Sequence, residues 1–361
     1  MINTNVIETF LQLVQIDSPT GFEREMSLEV FRQLKDLGLT PRIDSNNNVI
    51  ALVNGNGKGQ PIMLNAHLDT VEPGRNIKPQ VDPDGLIHSD GTTILGADNK
   101  AGVAVILEVA KRLTKNHSVN TRPIEIVFTT SEESGNVGAV NLDYSKIRSK
   151  TGYAFDVAGG NLGDVLISSP FYNRLDIEMI GKTAHAKEPE QGINVLPAFA
   201  EAISNVGLGR ISRNTLVNIG VVNSGTAVNS IPGDLIASGE VRSTNETELR
   251  NVTDSIRNEF ESACLDRNIE LKFNETLENA GFRLEANDSF LTKTANSVRT
   301  FGINPIFTDS FGCSDANIFA GHGIKVINIA TGENGAHSLN ESVKSSDLEK
   351  LVEIVIRLVT R

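Results

Sequence analysis

Residues 92–107 read TTILGADNKAGVAVIL, and this stretch places one acidic residue, Asp98, between a turn and a helix. Small residues surround the aspartate, and an apolar series from Val103 to Val109 follows it, as in a buried helix. An aspartate at a helix N-terminus has an ordinary structural role, because its carboxylate caps free backbone amides. Small neighbours also let the backbone approach a ligand closely, so both interpretations of Asp98 stay open.

The segments on either side of this stretch alternate between predicted strands and helices. Before it, the apolar run 61–67 predicts a buried strand; after it, residues 124–130 (IEIVFTT) and 152–156 predict two more. Polar side chains lie at or just after the ends of these strands: His67, Asp69, Glu132, Glu133 and Asp156. This order predicts an open α/β sheet with acids and a histidine at one edge.

The sequence pattern changes in the middle of the chain. Residues 174–180 (RLDIEMI) alternate in polarity like a half-buried antiparallel strand, and two helices with further strands follow. The alternation of strands and helices returns after Phe282. The pattern therefore predicts an α+β, ferredoxin-like domain (175–282) inserted into an α/β/α domain formed by residues 1–174 and 283–361.

Composition argues against several classes of function. The net charge is -12 without a cluster of Lys and Arg, so binding to nucleic acid is not expected. No run approaches the length of a membrane span, and the first helix, predicted from about Asn3 to Gln15, lacks the apolar core of a signal peptide. Cys264 and Cys313 are expected to be reduced thiols. These features predict a cytoplasmic protein.

Five polar residues offer the imidazole and carboxylate ligands that borderline divalent cations such as zinc accept. They are His67, Asp98, Glu133, Asp156 and His337. If one carboxylate bridges two ions, five ligands suffice for a pair. Asp69 can then orient an imidazole, and Glu132 can take a proton from water. Each residue alone also has an ordinary interpretation: Asp69 as a helix cap, Glu132 and Glu133 as a solvated pair, and His337 as a loop residue.

At these residues the chain resembles the co-catalytic zinc exopeptidases, the family that includes tripeptidase T, aminoacylase and carboxypeptidase G. The resemblance covers essentially the whole chain. Its motifs are HLD at 67–69, GADNKAG at 96–102, EESG at 132–135, GKTAHA at 181–186 and SDAN at 314–317. The last motif and His337 resemble the tripeptidase T branch, and so does Asp156, where aminoacylase relatives commonly carry Glu.

The resemblance implies two zinc ions and their ligands. His67 and Asp156 would hold one ion, and Glu133 and His337 would hold the other. Asp98 would bridge the two ions.

The resemblance also implies roles in catalysis and substrate binding. Glu132 would be the general base and acid. His185, on the inserted domain, would donate to the developing oxyanion, either within its own chain or from a second subunit. Asn229 and Arg242 match positions that hold the substrate's backbone or terminal carboxylate. A structural salt bridge is an equally good interpretation of Arg242, because a guanidinium group serves both purposes.

The expected function is metal-dependent hydrolysis of amide bonds in short peptides, of aminopeptidase or tripeptidase type. A homodimer through the inserted lid domain is a further expectation. Two alternatives stay open: the same residues would also suit cleavage of an N-acyl amino acid or a dipeptide, or a metal-stabilised binding protein without hydrolytic activity. Glu132 argues against the binding protein, because a structural role of zinc does not require it.

Overall fold

The chain divides into two compact units in the computed structural model, which describes residues 5–116 and 119–360. The larger unit comprises Met1–Ile167, Leu284–Asp309 and Ser314–Arg361, and the smaller unit comprises Ser168–Arg283 and Ser310–Cys313. The smaller unit thus begins before the predicted boundary at residue 175, and its role as a lid or dimerisation domain stays a prediction. The predicted helix start at Asn3 lies outside the described residues.

The described helices and strands are numbered in chain order. The helices are α1 (Val6–Val14), α2 (Arg24–Asp36), α3 (Ala97–Lys115), α4 (Val137–Val140), α5 (Leu196–Val206), α6 (Glu246–Leu265), α7 (Ser289–Arg299), α8 (Asp315–Gly321) and α9 (Ser345–Val359). The strands are β1 (Arg42–Ile43), β2 (Val49–Val53), β3 (Ile62–His67), β4 (Gln80–Val81), β5 (Leu86–His88), β6 (Ile124–Thr129), β7 (Thr151–Ala154), β8 (Val165–Ser169), β9 (Phe171–Ile180), β10 (Ala184–His185), β11 (Gly209–Arg210), β12 (Thr215–Ser224), β13 (Ser230–Ile231), β14 (Asp234–Ser243), β15 (Glu270–Asn279), β16 (Phe282–Arg283), β17 (Phe307–Asp309), β18 (Lys325–Ile329) and β19 (Ser342–Lys344).

The main sheet of the larger unit has the strand order β1-β2-β6-β3-β7-β18-β8. Its centre is parallel, because β3 pairs in parallel with β6 and β7, and β7 pairs in parallel with β18. Every residue of β3 and β6 is buried, as expected of apolar strands covered on both faces. Helix α3 packs against β3, α1 and α9 and is buried along most of its length.

The smaller unit contains the antiparallel sheet β11-β12-β14-β9-β15 and the helices α5 and α6. The two helices pack against each other, and α6 packs on β9, β14 and β15. Alternate residues of β9 are buried, as the polarity of RLDIEMI predicts. The core includes Phe260, whose ring lies 5.9 Å from that of Phe199 and 6.2 Å from that of Phe273 between centroids.

Membrane-spanning helices and a disulfide are the two features that the composition argues against. Throughout the described ranges, the helices are too short or too polar to cross a membrane. Cys264 and Cys313 are not joined in a disulfide.

Phe260→Ala should destabilise the smaller unit. The ring is fully buried, and truncating a buried aromatic side chain leaves a cavity that costs about 3–5 kcal/mol. Leu265→Ala is the matched control, since Leu265 lies on the same helix with 78% of its surface exposed, and it should change the free energy of unfolding by less than about 0.5 kcal/mol. Urea unfolding followed by circular dichroism measures both, and equal midpoints for the two variants would contradict this core.

Candidate active site

The carboxyl ends of the parallel strands of the larger unit lie at one edge of the sheet. The predicted site residues lie at the ends of these strands or in the loops that come after them. They are His67 at the end of β3, Glu132 and Glu133 after β6, Asp156 after β7 and His337 after β18. Asp98 joins them from the start of α3. Such an edge is where open α/β sheets bind their ligands.

The other four predicted ligands lie around Asp98. His67 Nε2 lies 3.0 Å from Asp98 Oδ1, and His337 Nε2 lies 3.3 Å from Asp98 Oδ2. The two oxygens of this carboxylate therefore face different imidazoles. His337 Nε2 also lies 2.7 Å from Glu133 Oε1, which connects Glu133 to the same centre.

Three groups of side chains among the described residues are close enough to hold a metal ion. In each group the three donor atoms lie within 4.8 Å of one another. The groups are His67, Asp98 and Asp156; Asp98, Glu133 and His337; and His67, Glu132 and Glu133. The first two groups share Asp98, so this carboxylate is placed to serve two ions.

Asp98 does not cap α3. The residue has φ −81° and ψ 104°, outside the helical region, and Gly96 occupies the cap position with φ 73° and no side-chain cap bond. The carboxylate of Glu341 instead accepts hydrogen bonds from the backbone N–H groups of Leu95, Gly96 and Asp98 at 2.8, 2.7 and 2.9 Å. Glu341 therefore holds the turn, and the carboxylate of Asp98 is left to face the two imidazoles.

Asp69 connects the His67 imidazole to the loop after β6. Its carboxylate accepts hydrogen bonds from the backbone N–H groups of Glu132 and Glu133, at 3.0 and 3.1 Å, and from the Thr20 hydroxyl at 2.9 Å. Its Oδ1 also lies 3.3 Å from His67 Nδ1. Asp69 can thus fix the orientation of a ligating imidazole and the position of the two glutamates at once.

Glu23 holds the residue that precedes this glutamate pair. Its Oε1 accepts hydrogen bonds from the Ser131 backbone N–H at 3.0 Å, from the Ser131 hydroxyl at 2.7 Å and from the Gly21 N–H at 2.9 Å. The sequence alone does not single out Glu23 or Thr20 as site residues. The turn-forming run Ser18–Gly21 (SPTG) between α1 and α2 is the local signal that points to them.

Carboxylates crowd this edge of the sheet. Burial, followed by the charge of Asp98, raises the pKa of Asp156 to about 8. Burial and then the charge of Asp156 raise the pKa of Glu132 well above its usual value. Burial also opposes ionisation of Asp98, yet hydrogen bonds from His337 and His67 hold its pKa well below the usual range. Bound divalent cations would stabilise these carboxylates in the ionised form, so the donor set fits such ions.

The two imidazoles supply positive charge to the same cluster. Hydrogen bonds to Asp98 and then Glu133 raise the pKa of His337 to about 10. Burial lowers the pKa of His67, but its bonds to Asp69 and Asp98 outweigh burial and raise this pKa well above its usual value. Metal ions bind neutral imidazoles, so they would replace these protons at the same positions.

His185 and Asn229 lie close together within the smaller unit. Strands β10 and β13 pair His185 with Ser230, and the Asn229 carbonyl accepts a hydrogen bond from the Ala186 N–H at 2.9 Å. Both side chains are exposed. Their roles toward a substrate stay predictions.

Arg242 makes the contacts of a structural salt bridge. Its Nη2 lies 3.0 Å from Glu240 Oε2, its Nη1 donates to the Phe311 carbonyl at 2.9 Å, and its guanidinium lies 4.7 Å from the Tyr172 ring centroid. These contacts match the structural alternative for Arg242.

Comparison with known proteins identifies the family. The sequence profile of Peptidase family M20/M25/M40 matches residues 63–361. The chain belongs to this family. As an M20/M25/M40 member it is a metallopeptidase, so the predicted family and enzyme class are confirmed.

Similar proteins match this M20/M25/M40 chain over nearly its whole length. The Bacillus subtilis (strain 168) "Uncharacterized protein YqjE" is 34% identical over 369 residues, which cover 99% of each chain. The crystal structure of aminopeptidase PepT from Bacillus cereus ATCC 10987 is 33% identical with a TM-score of 0.91, over 98% of this chain and 97% of that one. A Staphylococcus aureus subsp. aureus mu50 tripeptidase structure is 31% identical with a TM-score of 0.92 and the same coverage. The predicted fold, an α/β domain with an inserted α+β domain, is confirmed.

Glu341→Gln should weaken the binding of divalent ions at this M20/M25/M40 site. The amide keeps one acceptor but turns an NH₂ group toward a backbone N–H, so the turn that presents Asp98 loses part of its support. Residues that orient ligands typically contribute about 10–100-fold to metal affinity, and a loss of that size is expected.

The matched control for this prediction is Glu349→Gln, which removes one exposed carboxylate from α9. Competition with a chelating dye, starting from metal-free protein, measures both affinities. Equal affinity of Glu341→Gln and the parent protein would contradict the role of Glu341.

Proposed function

We propose that this metallopeptidase releases N-terminal residues from short peptides, tripeptides among them, with two divalent ions, preferentially zinc. The observation that carries the proposal is the position of Asp98 between two groups of ligand atoms, one with His67 and Asp156 and the other with Glu133 and His337. The names of the Bacillus cereus aminopeptidase and the Staphylococcus aureus tripeptidase, at 33% and 31% identity, support this choice of substrate.

The five ligands divide between the two ions. We assign His67 and Asp156 to one ion, Glu133 and His337 to the other, and Asp98 to both. Imidazoles and carboxylates without thiolates suit zinc, and they also suit other borderline divalent ions. The bound ions would lower the pKa of a water molecule and polarise the carbonyl of the scissile amide.

Glu132 is the proposed general base. Its carboxylate is absent from both ligand groups that share Asp98, although it also lies within reach of His67 and Glu133. Burial disfavours the ionised form of Glu132, which strengthens this carboxylate as a proton acceptor. Glu132 takes a proton from the attacking water and returns it to the leaving amine.

The remaining predicted residues orient the ligands and the substrate. Asp69 fixes the tautomer of His67 and holds the loop that carries Glu132. We propose that His185 donates a hydrogen bond to the carbonyl oxygen as negative charge develops there, and that Asn229 and Arg242 hold the peptide backbone or its carboxylate. A homodimer through the smaller unit is part of the same proposal.

A set of matched alanine substrates should distinguish the proposed substrate from the alternatives. Because the proposed enzyme acts at a free N-terminus, trialanine should be cleaved faster than N-acetyl-trialanine or N-acetylalanine. Its proposed activity on tripeptides predicts that trialanine is also cleaved faster than dialanine. Elemental analysis should find two ions per chain, and a chelator should remove activity that added zinc restores. Fastest cleavage of N-acetylalanine or dialanine would favour the corresponding alternative, and one ion in fully active protein would exclude the paired site.

Glu132→Gln and Glu133→Gln should separate the base from the ligand. Glu132→Gln cannot accept a proton, so kcat should fall about 10²-fold or more while both ions stay bound. Glu133→Gln removes a charged ligand, so the second ion should bind weakly and added zinc should restore part of the rate.

The two variants are compared by their kcat and by their metal content, which is measured by mass spectrometry. Loss of metal from Glu132→Gln with retention in Glu133→Gln would show that the two roles are exchanged. A parent rate in Glu132→Gln would rule out general-base catalysis by this residue.

A further inference from the structure

Asn136 is a buried residue outside the proposed mechanism, and its amide lies between two carboxylates. Its Nδ2 donates to Glu132 Oε1 at 2.9 Å and to Asp315 Oδ1 at 3.2 Å. Asn136 is 3% exposed and Asp315 is 2% exposed. Both neighbours of the amide are carboxylate oxygens, which accept hydrogen bonds, so the NH₂ group of Asn136 faces them. The amide oxygen in that place would be repelled. The orientation of the Asn136 side chain is therefore determined.

Asp315 is a fixed anchor for this amide. It is the first residue of α8, and its other oxygen accepts a hydrogen bond from the Thr129 hydroxyl at the end of β6. The same oxygen lies 3.4 Å from Asn65 Nδ2, and Asn65 is a residue of β3. Since both partners belong to buried central strands, Asp315 holds one N–H of Asn136 and directs the other toward Glu132.

The main chain also brings Asn136 back to Glu132. The Gly135 and Asn136 N–H groups donate to the Glu132 carbonyl at 3.0 and 2.8 Å, which closes a tight turn. Asn136 has φ 58° and ψ 31°, a left-handed conformation that asparagine tolerates better than most side chains. Asparagine thus satisfies the turn and supplies the donor.

We infer that Asn136 is a positioning residue for the general base: it holds Glu132 Oε1 so that Glu132 Oε2 is presented to the attacking water. This inference rests on the proposed role of Glu132. The last torsion of a glutamate side chain is broad, so a free carboxylate samples many orientations and a directed hydrogen bond restricts them. Loss of the bond should slow proton transfer without removing a metal ligand or a substrate contact.

Asn136→Gly is the test variant, because glycine keeps the left-handed backbone and deletes the donor. We expect kcat to fall about 10-fold while KM and metal content stay within about 2-fold of the parent values. Asn268→Gly is the matched control, since Asn268 also has a positive φ, 52°, but lies exposed in the smaller unit. It should keep the parent kcat.

The same substitution in the Glu132→Gln background shows whether Asn136 acts through Glu132. If it does, Asn136→Gly should change kcat less than about 2-fold there, because the group that it positions can no longer accept a proton. A purely structural role would lower kcat by the same factor in both backgrounds, and that result would overturn the inference. Loss of bound metal from Asn136→Gly would also overturn it.

The outcomes separate this inference from the proposed function. Slow turnover by Glu132→Gln with a parent rate in Asn136→Gly overturns the inference alone. A parent rate in Glu132→Gln overturns both. Should Asn136→Gly fail to fold by circular dichroism, Asn136→Asp removes the same donor with a side chain that also tolerates the left-handed backbone, and it is measured in the same two backgrounds, with the same expected and contradicting results.

Discussion

The contact of Asp98 with two imidazoles is the constraint on which the site depends. Burial disfavours the ionised forms of Asp98 and Asp156, and their charges repel each other, so both are ionised only with positive charge close by. Without bound ions, protonated His67 and His337 provide this charge, one at each oxygen of Asp98. The parallel order of the central strands makes the arrangement possible, because it delivers the ends of distant segments to one edge of the sheet.

Buried carboxylates also hold the loops that carry the site. Glu341 accepts three backbone N–H groups around Asp98, Asp69 accepts those of Glu132 and Glu133, and Glu23 accepts that of Ser131. A charged acceptor forms stronger hydrogen bonds than a neutral one. The loops can therefore be fixed without belonging to a helix or strand, and the side chains at the centre stay available for ions and substrate.

The acids of this edge consequently have different functions although they are chemically alike. Asp156 faces the cluster and has a raised pKa because burial and Asp98 disfavour its ionised form. Asp69 has a lowered pKa, since its bonds to His67, Glu132 and Thr20 outweigh its burial. Environment rather than residue type thus sets the charge state that each of these two aspartates favours.

The sequence by itself determined the α/β class with its insertion and the candidates His67, Asp98, Glu132 and Asp156, because apolar runs and the residues that end them are local signals. Tertiary structure decided whether Asp98 caps a helix or faces two imidazoles, since that depends on Glu341, 243 residues away. It likewise brought the Phe311 carbonyl to Arg242, 69 residues away, and placed Asp315 beside Asn136, 179 residues apart in the chain. Contacts between residues so far apart in the chain leave no trace in sequence spacing or periodicity, because only the folded topology brings the partners together.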